Sequence, residues 1–527
     1  MATSEYWAEP PLQRERTPLY VPTLDSVIAE DDPVRLVDEV LAQVDWSIWE
    51  AEYKHRGHGQ PPIHPRVLAA AILYGLIRSI RSSRKLEEAC VYRFDFIWLL
   101  EGRRPDFTTL SKFRVKFHQP LKDLFRQLGR IALTLGLIRL GDVAFDATRV
   151  RAYNSRFKTR TAKTLEEKLR VLDELFEHLT AAIHSSDVQQ AGQGSPTHLP
   201  EELAQCDERR KQIRALLEQA RAADAARKDQ GIDPQKNPAQ VPTSDPDSRV
   251  MPNKEGGYAP NYTPTATTDG ESGFIVDCDV LARVNESDAL AESVDRIQET
   301  FGRKPEKMLT DAGNSNGQNM AAMQERGIEF YAPAESLQPQ PGNPACRDDP
   351  QLPVPESEWS KLPRNSQGRL DKSCFVYDAK TDQYYCPQGQ PLPYEQTKRE
   401  WRGEKQYVRR VYRCATCVGC PLANACLAAN SQRGRTINRD QHEALHEQTA
   451  ARMADPATRA IYNQRPKIAE TTFGILKSVM GLRQFLLRGL DKVKTEWRWA
   501  TTAFNLGKLV RYVGRLRARL SLLNAEV

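Results

Sequence analysis

The chain has 527 residues, a formal net charge of +6, 40% hydrophobic residues and 27% charged ones, which is room for about three or four domains with sizeable cores. It contains no apolar run of the roughly eighteen residues that a membrane helix needs, and Met1–Pro10 lacks the basic-then-apolar order of a secretory signal. A soluble cytoplasmic protein with no membrane partner is therefore expected. The charge is uneven: Lys54 to Arg160 holds 22 Lys and Arg against 8 Asp and Glu, and Ala460 to Val527 holds 13 against 4. Two basic blocks separated by acidic sequence point to a polyanion, above all nucleic acid, and hence to a nucleoid-associated protein; two solvated basic faces are the plainer alternative.

Residues 33 to 136 read as consecutive short helices, with Pro65–Ile80, Ser83–Tyr92 and Thr108–His118 the clearest. The last carries Leu110, Phe113 and Phe117 on one face and Lys112, Arg114 and Lys116 largely off it. Such a unit resembles a helix-turn-helix DNA reader, while a plain bundle explains the apolar pattern equally well. A short strand within Leu140–Val150 ends near Asp146. From Leu165 a heptad stripe runs through Leu169, Leu172, Phe176, Leu179 and Ile183, opened by a Thr164-x-x-Glu167 capping box. After a Gly/Ser/Pro break at 192–200 a second stripe follows in Leu203, Cys206, Arg210, Ile213, Leu217 and Ala220, so a helical hairpin is predicted here.

Asp233–Asn253 reads as a linker. Thr263–Thr268 and Gly273–Val280 flank an Asp269-Gly270 turn and predict a β-hairpin, with an amphipathic helix at Asp288–Phe301 after it. Lys307-Met308-Leu309-Thr310 then leads into Asp311-Ala312-Gly313, an acid at a strand end followed by small turn residues, an arrangement that can project a carboxylate into a cleft. Residues 336–454 are rich in Pro, Gln and Cys, with no long periodic element before a helix near Arg439–Met453, and helices fill Pro456 to about Arg519. Within them Trp497 and Trp499 either stack on a displaced base or, with Ala500, Ala503 and Leu506 beside them, pack a core.

The segment Tyr462–Lys477 places Glu470 among Tyr462, Arg465, Lys467 and Lys477, with Glu470 and Lys477 seven residues apart and so on one helical face. Together with Asp146 and Asp311 it supplies three carboxylates, the oxygen donors that hard cations such as Mg²⁺ require for phosphoryl transfer. At this point the chain resembles the DDE transposases of bacterial insertion sequences. The resemblance rests on His64-Pro65-Arg66 through Arg81–Glu87, Asp146-Ala147-Thr148, Thr310-Asp311-Ala312-Gly313, Tyr462–Lys477, Arg488-Gly489-Leu490 and Ala503–Leu506. Two residues separate Tyr462 from Arg465 and six separate Glu470 from Lys477, as in the family; four, including Pro466, separate Arg465 from Glu470 where the strictest pattern has three.

What the resemblance implies is a multidomain α+β protein. It would comprise a helical DNA-binding domain (1–136), a ribonuclease H-like α/β catalytic core in pieces (137–157, 257–335 and 455–527, the last helical), a helical-hairpin insertion with its linker (158–256) and a Cys-rich insertion (336–454). The same resemblance makes Asp146, Asp311 and Glu470 the holders of Mg²⁺, or Mn²⁺, and the catalytic residues. Tyr462, Arg465 and Lys477 would contact the DNA end, the helical domain with Lys112, Arg114 and Lys116 would bind the terminal inverted repeats, and a homodimer would act on paired ends and target DNA. A catalytically inactive, DNA-binding relic of such an enzyme is the alternative.

Ten cysteines occur. Cys386 in a Cys-Pro-Gln-Gly sequence and the run Cys414-x2-Cys417-x2-Cys420-x5-Cys426 suggest a structural Zn²⁺ site, with Cys386, Cys417, Cys420 and Cys426 as the favoured ligands. An iron–sulfur cluster and unliganded thiols are the other readings. Finally, His442-Glu443-Ala444-Leu445-His446 matches the His-Glu-x-x-His pattern of zinc proteases, with Glu470 as a third ligand 24 residues on, although its flank Asn438–Gln441 is highly polar.

Overall fold

A computed structural model describes residues 23–53, 62–189, 199–229, 231–253, 256–402, 405–428 and 433–525. The Met1–Pro10 run, His55, His58 and most of the 192–200 break lie outside the described residues. The chain is a mixed α+β protein in two compact units, one of residues 1–128, 479–481 and 498–527, the other of 129–478 and 482–497.

The first unit is helical. Pro33–Ala42 starts where Asp32 Oδ1 accepts the Val34 N–H at 2.8 Å, and buries Val34, Leu36, Val37, Val40 and Leu41 on one stripe. Pro65–Ile77 is apolar all round and correspondingly interior. Ser83–Tyr92 and Phe107–Lys116 follow, the latter capped by Asp106, which accepts from Thr108 and Thr109. Trp49 stacks on Phe113 and Phe117 and meets Trp499, whose ring is buried, so for Trp499 the core reading holds. The short segment Val479–Gly481 joins this unit through Ser79 Oγ, which donates to the Val479 carbonyl at 2.6 Å, and through Arg81, which donates to that of Gly481.

The second unit is built on a seven-stranded sheet: β1 (Asp142–Ala147), β2 (Val150–Arg151), β3 (Arg249–Pro252), β4 (Tyr258–Asp269), β5 (Ile275–Leu281), β6 (Lys307–Leu309) and β7 (Glu329–Tyr331). The first half of β4 pairs with β2 and β3; its second half lies between β5 and β1, antiparallel to both. Beyond β1 come β6 and β7, each parallel to its neighbour. The β4–β5 hairpin is the predicted one, and Asp269 closes its turn by accepting from Ser272. The predicted linker at 233–253 is instead partly sheet, because Val241–Pro242 pairs with Thr159–Arg160 and β3 pairs with β4.

Two long helices, Ala162–Gln189 and Leu199–Asp229, form the predicted hairpin. Leu165, Leu169, Ile213, Leu217 and Ala220 meet in its seam, and Arg210 lies over the Phe176 ring while donating to Asp173 at 2.6 Å. Its cap is one turn earlier than expected: Thr161 Oγ1 accepts the Thr164 N–H, so Thr161 and not Thr164 takes the cap position. In the Cys-rich region the sequence reading missed a five-stranded antiparallel sheet: β8 (Val376–Asp378), β9 (Gln383–Tyr385), β10 (Pro391–Arg402), β11 (Lys405–Arg413) and β12 (Thr436–Asp440). These strands mix charged, polar and aromatic residues, and Tyr384, Tyr412, Phe375 and Leu392 are buried together in the core of this region. Among the described residues no helix is long and apolar enough to cross a membrane.

Candidate active site

The sheet register brings two acids together. Val143 pairs with Met308 and Ala144 with Leu309 in the parallel β1–β6 ladder, and two further residues along each chain lie Asp146 and Asp311. Both therefore emerge at the carboxyl ends of adjacent parallel strands, where open sheets form their ligand crevices. Asp146 Oδ1 accepts the Ala147 N–H at 2.8 Å. Asp311 caps a 3₁₀ turn, Ala312–Asn314, and its Oδ1 accepts from Asn314 Nδ2 at 2.9 Å.

Glu470 comes from the Arg465–Gly474 helix, which packs Ala469 against Ala144, Leu309 and Tyr331. Asp146, Asp311, Glu470, Arg465 and Lys477 all line one cleft of about 1180 Å³. Arg465 Nη1 stands 3.7 Å from Asp146 Oδ2, and that nitrogen is buried with no hydrogen-bond partner among the described residues. Lys477 reaches the wall from a π-helical turn, Ile475–Val479, that continues the Glu470 helix.

The same cleft holds residues the sequence reading passed over: Glu286, Arg149, Arg151, Arg483, Asn253 and Asn261. Arg149 donates to Thr263 Oγ1 at 2.9 Å and to the Val284 carbonyl at 2.6 Å. Arg151 is brought in by β2 and by its backbone pairing with Arg483 and Phe485. Glu286 sits in the Asn285–Asp288 turn before the Ala289–Phe301 helix, and no spacing in the sequence marks it out. Two strands so far apart in sequence meet here only through the sheet, a pairing that no local pattern encodes.

Other expected residues are placed elsewhere. Tyr462 does not line the cleft; it packs, half-buried, beside Ile461 and Ile468 against the Ala144–Leu309 core. In the helical unit Lys112 and Lys116 are exposed, with Lys116 over the Tyr53 and Phe117 rings, whereas Arg114 turns inward and donates to the Arg81 carbonyl at 2.5 Å. Trp497 is 1% exposed and donates to the Thr265 carbonyl at 3.1 Å, a core residue and not a base-stacking platform.

The protease alternative fails on Glu443. It is 1% exposed and bound by Tyr384 Oη at 2.8 Å, Arg439 Nη1 at 3.2 Å and Lys372, so its carboxylate is not available to activate a water. His442 sits at the cap of the Glu443–Ala454 helix, against Gly317 and outside the cleft that contains Glu470.

Five thiols, Cys386, Cys414, Cys417, Cys420 and Cys426, line one void of about 20 Å³. The favoured set omitted Cys414, but this thiol is the hub: it exchanges hydrogen bonds with Cys386 and Cys417. The Cys386 hydrogen bond holds the Cys414 thiol below the ordinary range, and the same contact with burial pushes Cys386 up. Backbone N–H groups of Gln388 and Gln390 are directed at Cys386, that of Thr416 at Cys414 and that of Arg435 at Cys417. Among the described residues, no three His, Cys, Asp or Glu side chains stand in a ready-made metal cage.

An open cleft with acids on strand ends and cations around them is the equipment of a nucleic-acid-processing enzyme. Family comparison agrees: residues 385–510 match a transposase DDE domain, and residues 22–116 match a transposase domain of the DUF772 type. Together the two matches indicate a DDE transposase of the insertion-sequence type. The first match includes Glu470, Arg465, Lys477 and the cysteine cluster, while Asp146 and Asp311 lie outside both. No curated protein and no solved structure matches the chain.

Proposed function

We propose that the chain binds the terminal inverted repeats of an insertion sequence and catalyses metal-dependent DNA strand cleavage and strand transfer, acting as a dimer on paired ends. The observation that carries this reading is the meeting of Asp146, Asp311 and Glu470, from two strand ends and a late helix, in one cleft with Arg465 and Lys477. A sheet of three antiparallel strands continued by two parallel ones, with acids at the ends of β1 and β6, supports a ribonuclease H-like core.

The donor set fits Mg²⁺ or Mn²⁺, because all three groups offer hard carboxylate oxygens. Mg²⁺ is typically held by one or two carboxylates with water and substrate phosphates completing the shell, so a ready-made cage of three side chains is not required. Bound there, the ion would polarise the scissile phosphodiester and stabilise charge on the attacking and leaving oxygens. Arg465, Lys477, Arg151 and Arg483 would hold the flanking phosphates, as guanidinium and ammonium groups do. Exposed Lys112 and Lys116 would contribute to holding the repeats, and Arg114 would act by fixing the helix that carries them.

Four of the five clustered thiols, Cys414 among them, would hold a structural Zn²⁺, since the N–H groups aimed at their sulfurs favour the thiolate that zinc binds.

The test is Mg²⁺-dependent nicking of a duplex carrying the element's ends. Wild-type protein should release a 3′-OH and Asp311→Asn, which keeps the turn cap, should not. A wild-type protein that binds the ends but never cuts them would make it a DNA-binding relic.

A further inference from the structure

The chain's positive charge is not confined to its two basic blocks. Between Lys398 and Arg410 stand six Lys and Arg against two Glu, in the arm formed by β10 and β11. Only Pro391–Pro393 of β10 pair with β9, and only Arg409–Arg413 of β11 pair with β12. Beyond Arg409, among the described residues, the two strands pair with nothing but each other, from Lys398 opposite Arg409 to Arg402 opposite Lys405.

The register puts Lys398, Glu400 and Arg402 of β10 and Lys405, Tyr407 and Arg409 of β11 on one face of the arm. Like charges directly opposite on a ladder are unfavourable, and both cross-strand cation pairs lie on this face. Glu400, 3.7 Å from Arg409, is the one acid among the six. The other face supplies no packing to offset that cost: Arg399 is exposed there and Trp401 is 68% exposed. A two-stranded ribbon standing by itself is marginal in water, so repulsion along one side of it suits an element that a polyanion completes.

The place of the arm says which polyanion. At its root, Tyr407 and Arg409 wall a groove of about 750 Å³ whose far side includes Asn285, Ser287 and Gly313, and Gln318 Nε2 donates to Tyr407 Oη at 3.4 Å. Asn285 and Ser287 flank Glu286, and Gly313 follows Asp311 by two residues, so groove and acid cleft are bordered by the same two turns. Asp288 and Asp440 line the groove itself, which leaves the positive surface on the arm beyond it.

We infer that the β10–β11 arm is a DNA-contacting ribbon, which lays its Lys398–Arg409 face into the major groove of the duplex held at the acid cleft. The major groove of B-DNA admits a two-stranded β-ribbon, and cations spaced along one face meet the phosphates that line it. A second copy's strand adding to the edges of the arm is opposed by the same charges. The inference rests on the DNA-processing reading given above.

The experiment measures binding of the full chain, over a salt series, to a fluorescein-labelled duplex of about four helical turns (~40 bp) that carries one element end and its flanking DNA. Lys398→Gln/Arg402→Gln should lower the slope of log K against log salt by about two, since each phosphate contact contributes roughly 0.9. Lys361→Gln/Lys380→Gln, at exposed lysines off the arm, should leave the slope unchanged. Thermal unfolding checks the fold, and the arm variant should melt no lower than the wild type because it relieves repulsion. If the arm variant keeps the wild-type slope, or the off-arm variant lowers it as much, while the wild type still nicks the duplex with Mg²⁺, the arm is no DNA contact and the acid-cleft reading stands. If the wild type itself fails to bind the duplex, the DNA-processing reading falls and the arm's role falls with it.

Discussion

The guanidinium of Arg465 faces the carboxylate of Asp146 at 3.7 Å, close enough for charge attraction and too far for a hydrogen bond. The two side chains are 12% and 14% exposed, so the pair is only weakly screened. An arginine in that position partly balances Asp146 and keeps a free N–H for phosphate. Arg465→Ala should therefore weaken binding of a terminal-repeat duplex by roughly 10- to 100-fold, the scale of one charge-assisted hydrogen bond. The same substitution should leave Mn²⁺ binding unchanged or tighter, since a competing cation beside Asp146 is gone. Fluorescence anisotropy and Mn²⁺ titration on one preparation would separate the two effects.

In the helical unit, Tyr74 Oη donates to Asp95 at 2.9 Å and Arg93 pairs with the same carboxylate at 2.5 Å. Burial pushes the Asp95 carboxyl up, but these two hydrogen bonds outweigh it and the net shift is downward. The folded state then binds its proton more weakly than the unfolded chain. The stabilisation is present above the unfolded value of about 4 and is lost as pH falls through the lower folded value. Asp95→Asn should cost about 1–2 kcal/mol at pH 7 and progressively less as pH falls below the unfolded value of about 4. Urea denaturation of the full chain over a series of pH values from 7 downward, followed by tryptophan fluorescence, would check this.

Asp245 is fully buried, accepting from Tyr262 Oη at 2.8 Å and from the Gly489 N–H at 3.0 Å, while Asp247 accepts the Leu490 N–H that opens the last helix. Burial holds the Asp245 carboxyl above its ordinary range despite these donors. Tyr262→Phe removes one donor from a charge that has no water to replace it, and should destabilise the second unit by about 1–3 kcal/mol. The loss should shrink as pH falls and Asp245 takes up its proton, which thermal melts at pH 7 and pH 4.5 would show.

Purified protein should carry close to one zinc per chain, in the range of structural zinc sites. Cys414→Ser should lose that zinc, whereas Cys346→Ser, at an exposed thiol outside the cluster, should keep it. Elemental analysis of both variants decides the matter; retention of zinc by Cys414→Ser would remove Cys414 from the ligand set.

Much of the second unit's skeleton was readable locally. The β4–β5 hairpin and the 162–229 helical hairpin follow directly from period-2 and heptad patterns, and Asp146, Asp311 and Glu470 reach one cleft as the resemblance implied. What sequence could not give is long-range register. Arg483 enters the cleft through its backbone pairing with Arg151, far away along the chain, and β8–β12 stayed hidden because their sheet is built from tyrosines, arginines and lysines with little apolar alternation. Arg114 and Tyr462 carried the right chemistry, but packing turned one to a backbone carbonyl and the other to the core. Cys414 was passed over because spacing counts thiols without saying which of them touch.

The π-helical turn at Ile475–Val479 gives the cleft a property that a plain helix would lack. Glu470 lies in the helix before the widened turn and Lys477 within the turn itself, so the carboxylate and the ammonium hang from one rod, one ahead of the joint and one inside it. Shortening that joint by one residue at Ile475 would rotate everything after it by about 100° and carry the ammonium off the cleft wall, while Glu470 kept its place. On the proposed reading, the part that carries Glu470 would serve the cation and the part that carries Lys477 the DNA strand, so a change in the turn would alter one without the other.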